Sequence, residues 1–117
     1  MIAHVAVETR EADAGACVEF FALLGFAEVT PPPSLRDRAR WVERAGTQVH
    51  LLYAEDPDVP PKGHVAVVAG DYGDTLAALR AAGHEVEDRA QHWGSPRAYA
   101  RDPAGHLVEV MAFPPDR

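Results

Sequence analysis

The tetrad His4-Val5-Ala6-Val7 recurs letter for letter 60 positions later as His64-Val65-Ala66-Val67. An internal repeat constrains a fold strongly, because each copy must build the same unit. Val and Ala are abundant here, so the tetrad gains its weight from further matches in the same order. Leu24-Gly25-Phe26-Ala27-Glu28-Val29 parallels Ala82-Gly83-His84-Glu85-Val86, with the glycines 58 apart. Ala45-Gly46 matches Ala104-Gly105, and Val49-His50-Leu51 matches Val108-Glu109-Val110, both at an offset of 59. Four ordered anchors whose offsets differ by only two residues indicate a duplicated unit.

Each copy carries the same succession of local signals. Residues 2–8 alternate and are rich in Val, which predicts a strand. Cys17, Phe20, Phe21 and Leu24 recur at helical spacing over 12–24, with Gly25 as the stop. A short strand is expected at 27–30, and Pro31-Pro32-Pro33 ends regular structure. Strands at 41–44 and 47–54 flank the turn Ala45-Gly46. Residues 55–62, with Pro57, Pro60 and Pro61, read as a linker. The second copy gives a strand at 64–68, a helix at 72–82 stopped by Gly83, and a strand at 84–87. Two more strands, 97–101 and 106–113, flank Asp102-Pro103-Ala104-Gly105. Each copy is therefore βαβββ, module one being 1–54 and module two 63–117 of a single domain. An antiparallel sheet covered by one helix is the expected way to bury one face of each.

The repeat also pairs residues that carry chemistry. His4 and His64 open the first strands of the two copies, and His50 and Glu109 lie at equivalent places in the last strands. Imidazole and carboxylate together suit Zn, Ni, Co, Fe or Mn. An approximate twofold relation between the copies would let His4, His50, His64 and Glu109 converge on one ion. Gln48, two residues from His50 on the same face, is an alternative to it. The segment Gln91-His92-Trp93-Gly94-Ser95-Pro96-Arg97 mixes aromatic and polar groups, as ligand-contacting loops do. Trp93, Ser95 and Arg97 are candidate substrate contacts, with Trp41, Tyr53, Tyr99 and Met111 as candidate linings. His84 is expected at a core edge and His106 exposed beside a turn. Cys17 is expected to be buried and inert on its amphipathic helix.

Composition excludes several classes. Eleven basic residues against 18 acidic ones give a formal charge of −7, which disfavours nucleic acid and anionic membrane surfaces. The single cysteine rules out an internal disulfide and an all-cysteine zinc site. No apolar run reaches the roughly 20 residues needed to span a bilayer. Met1-Ile2-Ala3-His4 lacks the basic start of a secretion signal, so a cytoplasmic location is expected. GxSxG, GxxxxGK[ST], GxGxxG and HExxH are all missing.

Four segments together resemble the vicinal oxygen chelate superfamily, which includes glyoxalase I, bleomycin-resistance proteins and extradiol dioxygenases. They are His4-Val5-Ala6-Val7, Phe20-Phe21-Ala22-Leu23-Leu24-Gly25-Phe26, Gly63-His64-Val65-Ala66-Val67 and Arg101-Asp102-Pro103-Ala104-Gly105-His106-Leu107-Val108-Glu109-Val110. The resemblance covers essentially the whole chain. It implies an α+β fold of two tandem βαβββ modules, whose curled mixed sheets form a cup with the helices outside. It implies a divalent metal ion on His4, His50, His64 and Glu109, with His50 standing where glyoxalase I has Glu or Gln. Three imidazoles and one carboxylate would leave the site at a net charge of about +1, favouring anionic oxygen ligands.

The function so implied is a metal-dependent lyase or isomerase of the glyoxalase type. Its substrate would be a small molecule chelated through vicinal oxygens, and Glu109 would be the catalytic base. The alternative is a resistance protein that binds a bleomycin-type antibiotic or metabolite without chemistry. A homodimer is implied as well, with modules exchanged through residues 55–62.

Overall fold

The computed structural model describes residues 1–116. The chain divides into two compact units, the first Met1–Val59 and the second running from Pro60. No helix or strand lies between Tyr53 and His64.

In the first unit, β1 (His4–Thr9), α1 (Glu11–Leu23), β2 (Ala27–Val29), β3 (Ala39–Arg44) and β4 (Thr47–Tyr53) follow in order. The sheet order is β1-β4-β3-β2. β3 pairs antiparallel with both β2 and β4, but β1 pairs parallel with β4. The sheet is therefore mixed, as the family resemblance implied, rather than antiparallel throughout. The cause is the number of reversals: α1 returns the chain, β2 starts in the direction of β1, β3 reverses it, and β4 restores it.

The second unit repeats this with β5 (His64–Val68), α2 (Tyr72–Ala81), β6 (Val86–Arg89), β7 (Arg97–Arg101) and β8 (Leu107–Met111). Its order is β5-β8-β7-β6, again with the first strand parallel to the last. The fold class is thus α+β, two tandem βαβββ units each with an open four-stranded mixed sheet.

Alternation assigns the two faces of each sheet. Thr9 Oγ1 lies 3.8 Å from Cys17 Sγ of α1, so the odd residues of β1 look toward the helix. Cys17, Phe20, Phe21, Val42, Val49 and Leu51 are all buried and form the core on that side. Phe21 meets Phe20 and Phe26 edge-on, with ring centroids 5.3 and 5.6 Å apart. In the second unit Leu76, Leu79, Val67, Val108, Val110, Ala98 and Ala100 are among the buried apolar residues. The other face of each sheet carries the polar and aromatic residues.

Both helices end at a glycine with positive φ, +89° at Gly25 and +90° at Gly83. Only glycine takes this backbone without strain, which is why it recurs in both copies. The cap consumes residues expected in β6. His84 N–H still donates to Leu79 O at 3.0 Å, so β6 begins at Val86 rather than at residue 84.

Candidate functional site

On the face of the first sheet away from α1, Trp41 is opposite His50 in the β3–β4 register, and His4 is opposite Gln48 in the β1–β4 register. Small Ala6, opposite His50, leaves room for rings on either side. Three rings stack as a result. His50 lies 3.9 Å from Trp41 with 3° between planes, and 4.0 Å from His4 with 13° between planes. The buried central ring is pinned at its edge. His50 Nε2 is 2.7 Å from Gln48 Oε1, and Gln48 Nε2 donates to Glu43 Oε1 at 2.9 Å. Gln48 is thus a hydrogen-bond partner of His50. Burial, then the neighbouring His4, lower the His50 pKa and keep its imidazole neutral.

The second unit fills the same slots differently. Glu109 takes the place of His50, and Tyr99, opposite it, takes the place of Trp41. His64 Nε2 lies 3.0 Å from Glu109 Oε1. Arg97, two residues before Tyr99 on the same face, donates from a terminal nitrogen to Glu109 Oε2 at 3.2 Å and from Nε to Ala90 O at 2.7 Å. Glu109 and Arg97 are both buried. Contact with Tyr99, then the hydrogen bond to Glu109, raise the Arg97 pKa and keep it cationic. The Arg89 guanidinium sits 4.9 Å from the Tyr99 ring centroid. A cleft of about 820 Å³ opens on this unit, and Lys62, His64, Glu87, Arg89, Tyr99 and Leu107 are among its lining residues.

The tautomer of His64 follows from its surroundings. Its Nδ1 is 2.9 Å from Lys62 O, and a carbonyl only accepts, so Nδ1 carries a proton. For a neutral ring, Nε2 is then a lone pair facing a carboxylate oxygen at 3.0 Å. Two acceptors at that distance need a hydrogen on one of them, or a metal ion, to meet. A ring anchored through Nδ1–H to a backbone carbonyl is also the usual arrangement of a metal-binding histidine. The second unit thus brings two potential metal donors together, with Arg97 already paired to one of them.

The first unit suits a metal ion less well. Imidazole lone pairs lie in the ring plane, so His4 and His50, stacked nearly parallel, do not aim at one common ion. Among the described residues, no group of three or more His, Cys, Asp or Glu side chains is arranged to hold a metal ion.

The remaining sequence-based candidates fall elsewhere. Ser95 is fully buried, and its Oγ accepts from the backbone N–H groups of Ala112 and Phe113 at 3.2 and 3.0 Å. It ties the 91–97 loop to the end of β8 and offers no surface to a ligand. Trp93 Nε1 donates to Phe113 O at 2.9 Å in the same tie. His106, expected exposed, is buried. The reason is its turn: His106 N–H donates to Asp102 Oδ1, and its carbonyl accepts from Asp102 N, both at 2.9 Å. Lys62, Glu87 and Arg89 went unremarked in the sequence. Placing β6 two residues later puts Glu87 opposite Tyr99 and Arg89 opposite Arg97, which is the signal that would have found those two.

A family model of the glyoxalase-like domain matches residues 4–111. The chain belongs to the glyoxalase-like domain family. Among solved structures, a glyoxalase family protein from Bacillus anthracis superposes with a TM-score of 0.85 at 23% identity, covering 95% of this chain and 93% of that one. A lactoylglutathione lyase from Agrobacterium tumefaciens gives 0.71 at 21%, covering 95% and 92%. An antibiotic binding protein from Streptomyces sp. CB03234 gives 0.73 at 17%, again covering 95% and 93%. At these identities the likeness is one of fold. No curated protein matches the chain. No helix among the described residues is long and apolar enough to cross a membrane.

Proposed function

We propose that this glyoxalase-like protein is a metal-dependent lyase or isomerase acting on a small substrate with neighbouring oxygens. His64 and Glu109 are its principal metal donors, and Glu109 is its base. The observation that carries the reading is the 3.0 Å approach of His64 Nε2 to Glu109 Oε1 while Nδ1 is committed to Lys62 O.

A divalent cation, when bound, supplies a Lewis acid for the substrate's oxygens. The protein does the rest. His64 is fixed in orientation by the Lys62 carbonyl. Glu109, buried at the floor of β8, takes a proton from the carbon beside a carbonyl and returns it to the neighbouring carbon. Tyr99 and Arg89 border the cleft in which such a substrate lies. His4 and His50, the other two members of the donor set expected from the repeat, are stacked nearly parallel and are not counted among the donors of this reading. A homodimer belongs to the same reading, and light scattering is expected to give twice the 12.7 kDa chain mass.

The test is elemental analysis and calorimetry with Ni, Co, Zn and Mn. Binding that is lost in His64→Ala and Glu109→Gln supports the proposal. Wild-type protein that takes up none of these ions sinks it.

The ring stack favours a second reading, a drug-binding protein without chemistry. A column ending in the exposed ring of His4 is a surface on which a planar aromatic ligand can continue the stack. A solved antibiotic binding protein shares the fold, and the net charge of −7 favours a cationic drug.

A further inference from the structure

The cleft of the second unit is lined by cations that the proton transfer does not use. Arg97, Tyr99 and Arg101 alternate onto one face of β7, and Arg89 of β6 stands opposite Arg97. The register carries the row onward, since Arg101 pairs with Leu107 of β8 and Leu107 pairs with His64 of β5. Lys62 enters the same cleft from just before β5.

The duplication supplies an internal control. At the places of the first sheet that match Arg97 and Arg101 stand Ala39 and Glu43, on either side of Trp41. The fold therefore does not require basic residues there. In a chain of net charge −7, arginines gathered on one sheet face are a local departure. The strand carboxylates on this face are already paired, Glu87 with Arg89 at 2.8 Å and Glu109 with Arg97 at 3.2 Å. Asp102 is buried and accepts from the backbone N–H groups of Ala104 and His106. Arg101 donates at 3.0 Å to Gly105 O, a neutral acceptor. Among the described residues, Arg101 and Lys62 take part in no ion pair, and against them the cleft wall sets the exposed Glu85.

We propose that this cleft receives the oxyanion of a small organic acid, a carboxylate or a phosphate monoester, held by Arg101, Arg89 and Lys62 with its body against Tyr99 and Leu107. The acid so bound is the substrate class of the proposed function; it rests on that reading only in taking this cleft as the ligand's place, and it needs no metal ion. A guanidinium suits an oxyanion because two N–H groups meet two oxygens side by side. Arg101 has donors beyond the one given to Gly105, and the Arg89 side chain is 41% exposed, so a ligand can reach both. An uncharged molecule of the same shape keeps the apolar contacts and loses the charged hydrogen bonds, so charge decides affinity.

The experiment is calorimetry on EDTA-treated protein with benzoate, phenyl phosphate and the neutral benzyl alcohol. At least one anion is expected to bind about tenfold or more tighter than benzyl alcohol, the difference a charged hydrogen bond makes, and to weaken as salt is added. Preference for benzoate marks a carboxylic acid, and preference for phenyl phosphate marks a phosphate ester. Arg101→Glu, which writes in the residue found at the matching place of the first copy, is expected to lose at least about tenfold for the anion, and Lys62→Gln about threefold. The inference is overturned if neither anion binds up to about 10 mM, the outer limit for a fragment of this size. It is overturned equally if benzyl alcohol matches the anions, or if Arg101→Glu binds them as wild type does. Should Arg101→Glu fail to fold, amide resonances of wild type decide. Anion-induced shifts centred on Arg89, Tyr99, Arg101 and Leu107 support the site, and shifts centred elsewhere, the ring stack of the first unit included, overturn it. Metal uptake without anion binding removes this inference and leaves the lyase proposal, whereas anion binding by a protein that takes up no metal does the reverse.

Discussion

His64 Nε2 and Glu109 Oε1 face each other at 3.0 Å, and the other nitrogen of the ring is already spent on the Lys62 carbonyl. The proposed metal reading rests on this pair within the second unit. The same slot in the first unit holds an imidazole sandwiched between two other rings.

Divalent metal should stabilise the fold by mass action, because the folded state presents the paired donors and the unfolded chain does not. At a free concentration a hundredfold above Kd the gain is about 2.7 kcal/mol. Thermal melts with Zn, Ni, Co or Mn are expected to shift upward in wild type, to stay unmoved in Glu109→Gln and His64→Ala, and to revert on chelation.

Trp41 and Glu109 separate the two functional readings. If planar aromatic drugs bind by extending the first unit's stack, Trp41→Ala weakens binding by at least tenfold, about 1.4 kcal/mol, and Glu109→Ala leaves it unchanged. Fluorescence quenching titrations read this directly, since the chain has two tryptophans and Trp93 remains as an internal reference. The lyase reading expects the reverse dependence for turnover.

Asp102 gives the protein an acid-side slope. Burial raises its carboxyl above the ordinary 3.8, against the lowering effects of the His106 backbone N–H and the His106 charge. The folded state then binds this proton more tightly than the unfolded state. Its contribution to stability is largest below pH 3.8, declines as pH rises toward the folded-state value, and is flat above it. Denaturant melts of Asp102→Asn across this window are expected to lack the decline. Asp102→Ala, which strips the acceptor from two backbone N–H groups, should cost about 1–3 kcal/mol at any pH.

Ser95→Ala tests whether that loop serves stability or ligand. Its hydroxyl accepts from two backbone N–H groups, and leaving them unpaired should cost about 1–3 kcal/mol in a denaturant melt. Metal and drug affinities, measured below the transition, should stay within about twofold of wild type.

Much of the architecture was legible because the chain states it twice. Apolar alternation and two stop glycines gave the element order, and the matched tetrads located the first strands. The direction of β1 against β4 was not legible, since alternation reads the same in parallel and antiparallel ladders. The start of β6 was misplaced because His84 still terminates α2 through its bond to Leu79 O. At the site, the repeat sufficed to pair His50 with Glu109 as equivalent positions, but not to show Trp41 beside the first or Arg97 beside the second. The ring stack and the two-way fork of Arg97 depend on side-chain torsions and on Ala6 being small, which no spacing rule encodes. His106 and Ser95 escaped because a turn can draw a polar side chain inward to satisfy its own backbone.

Cys17 is fully covered on α1, with Thr9 Oγ1 3.8 Å from its sulfur, and it is the chain's one thiol. A thiol reagent therefore finds its target only in moments when the first unit opens. The rate of labelling clocks those openings for one copy of the duplicated unit, with no engineered probe, and is silent on the other.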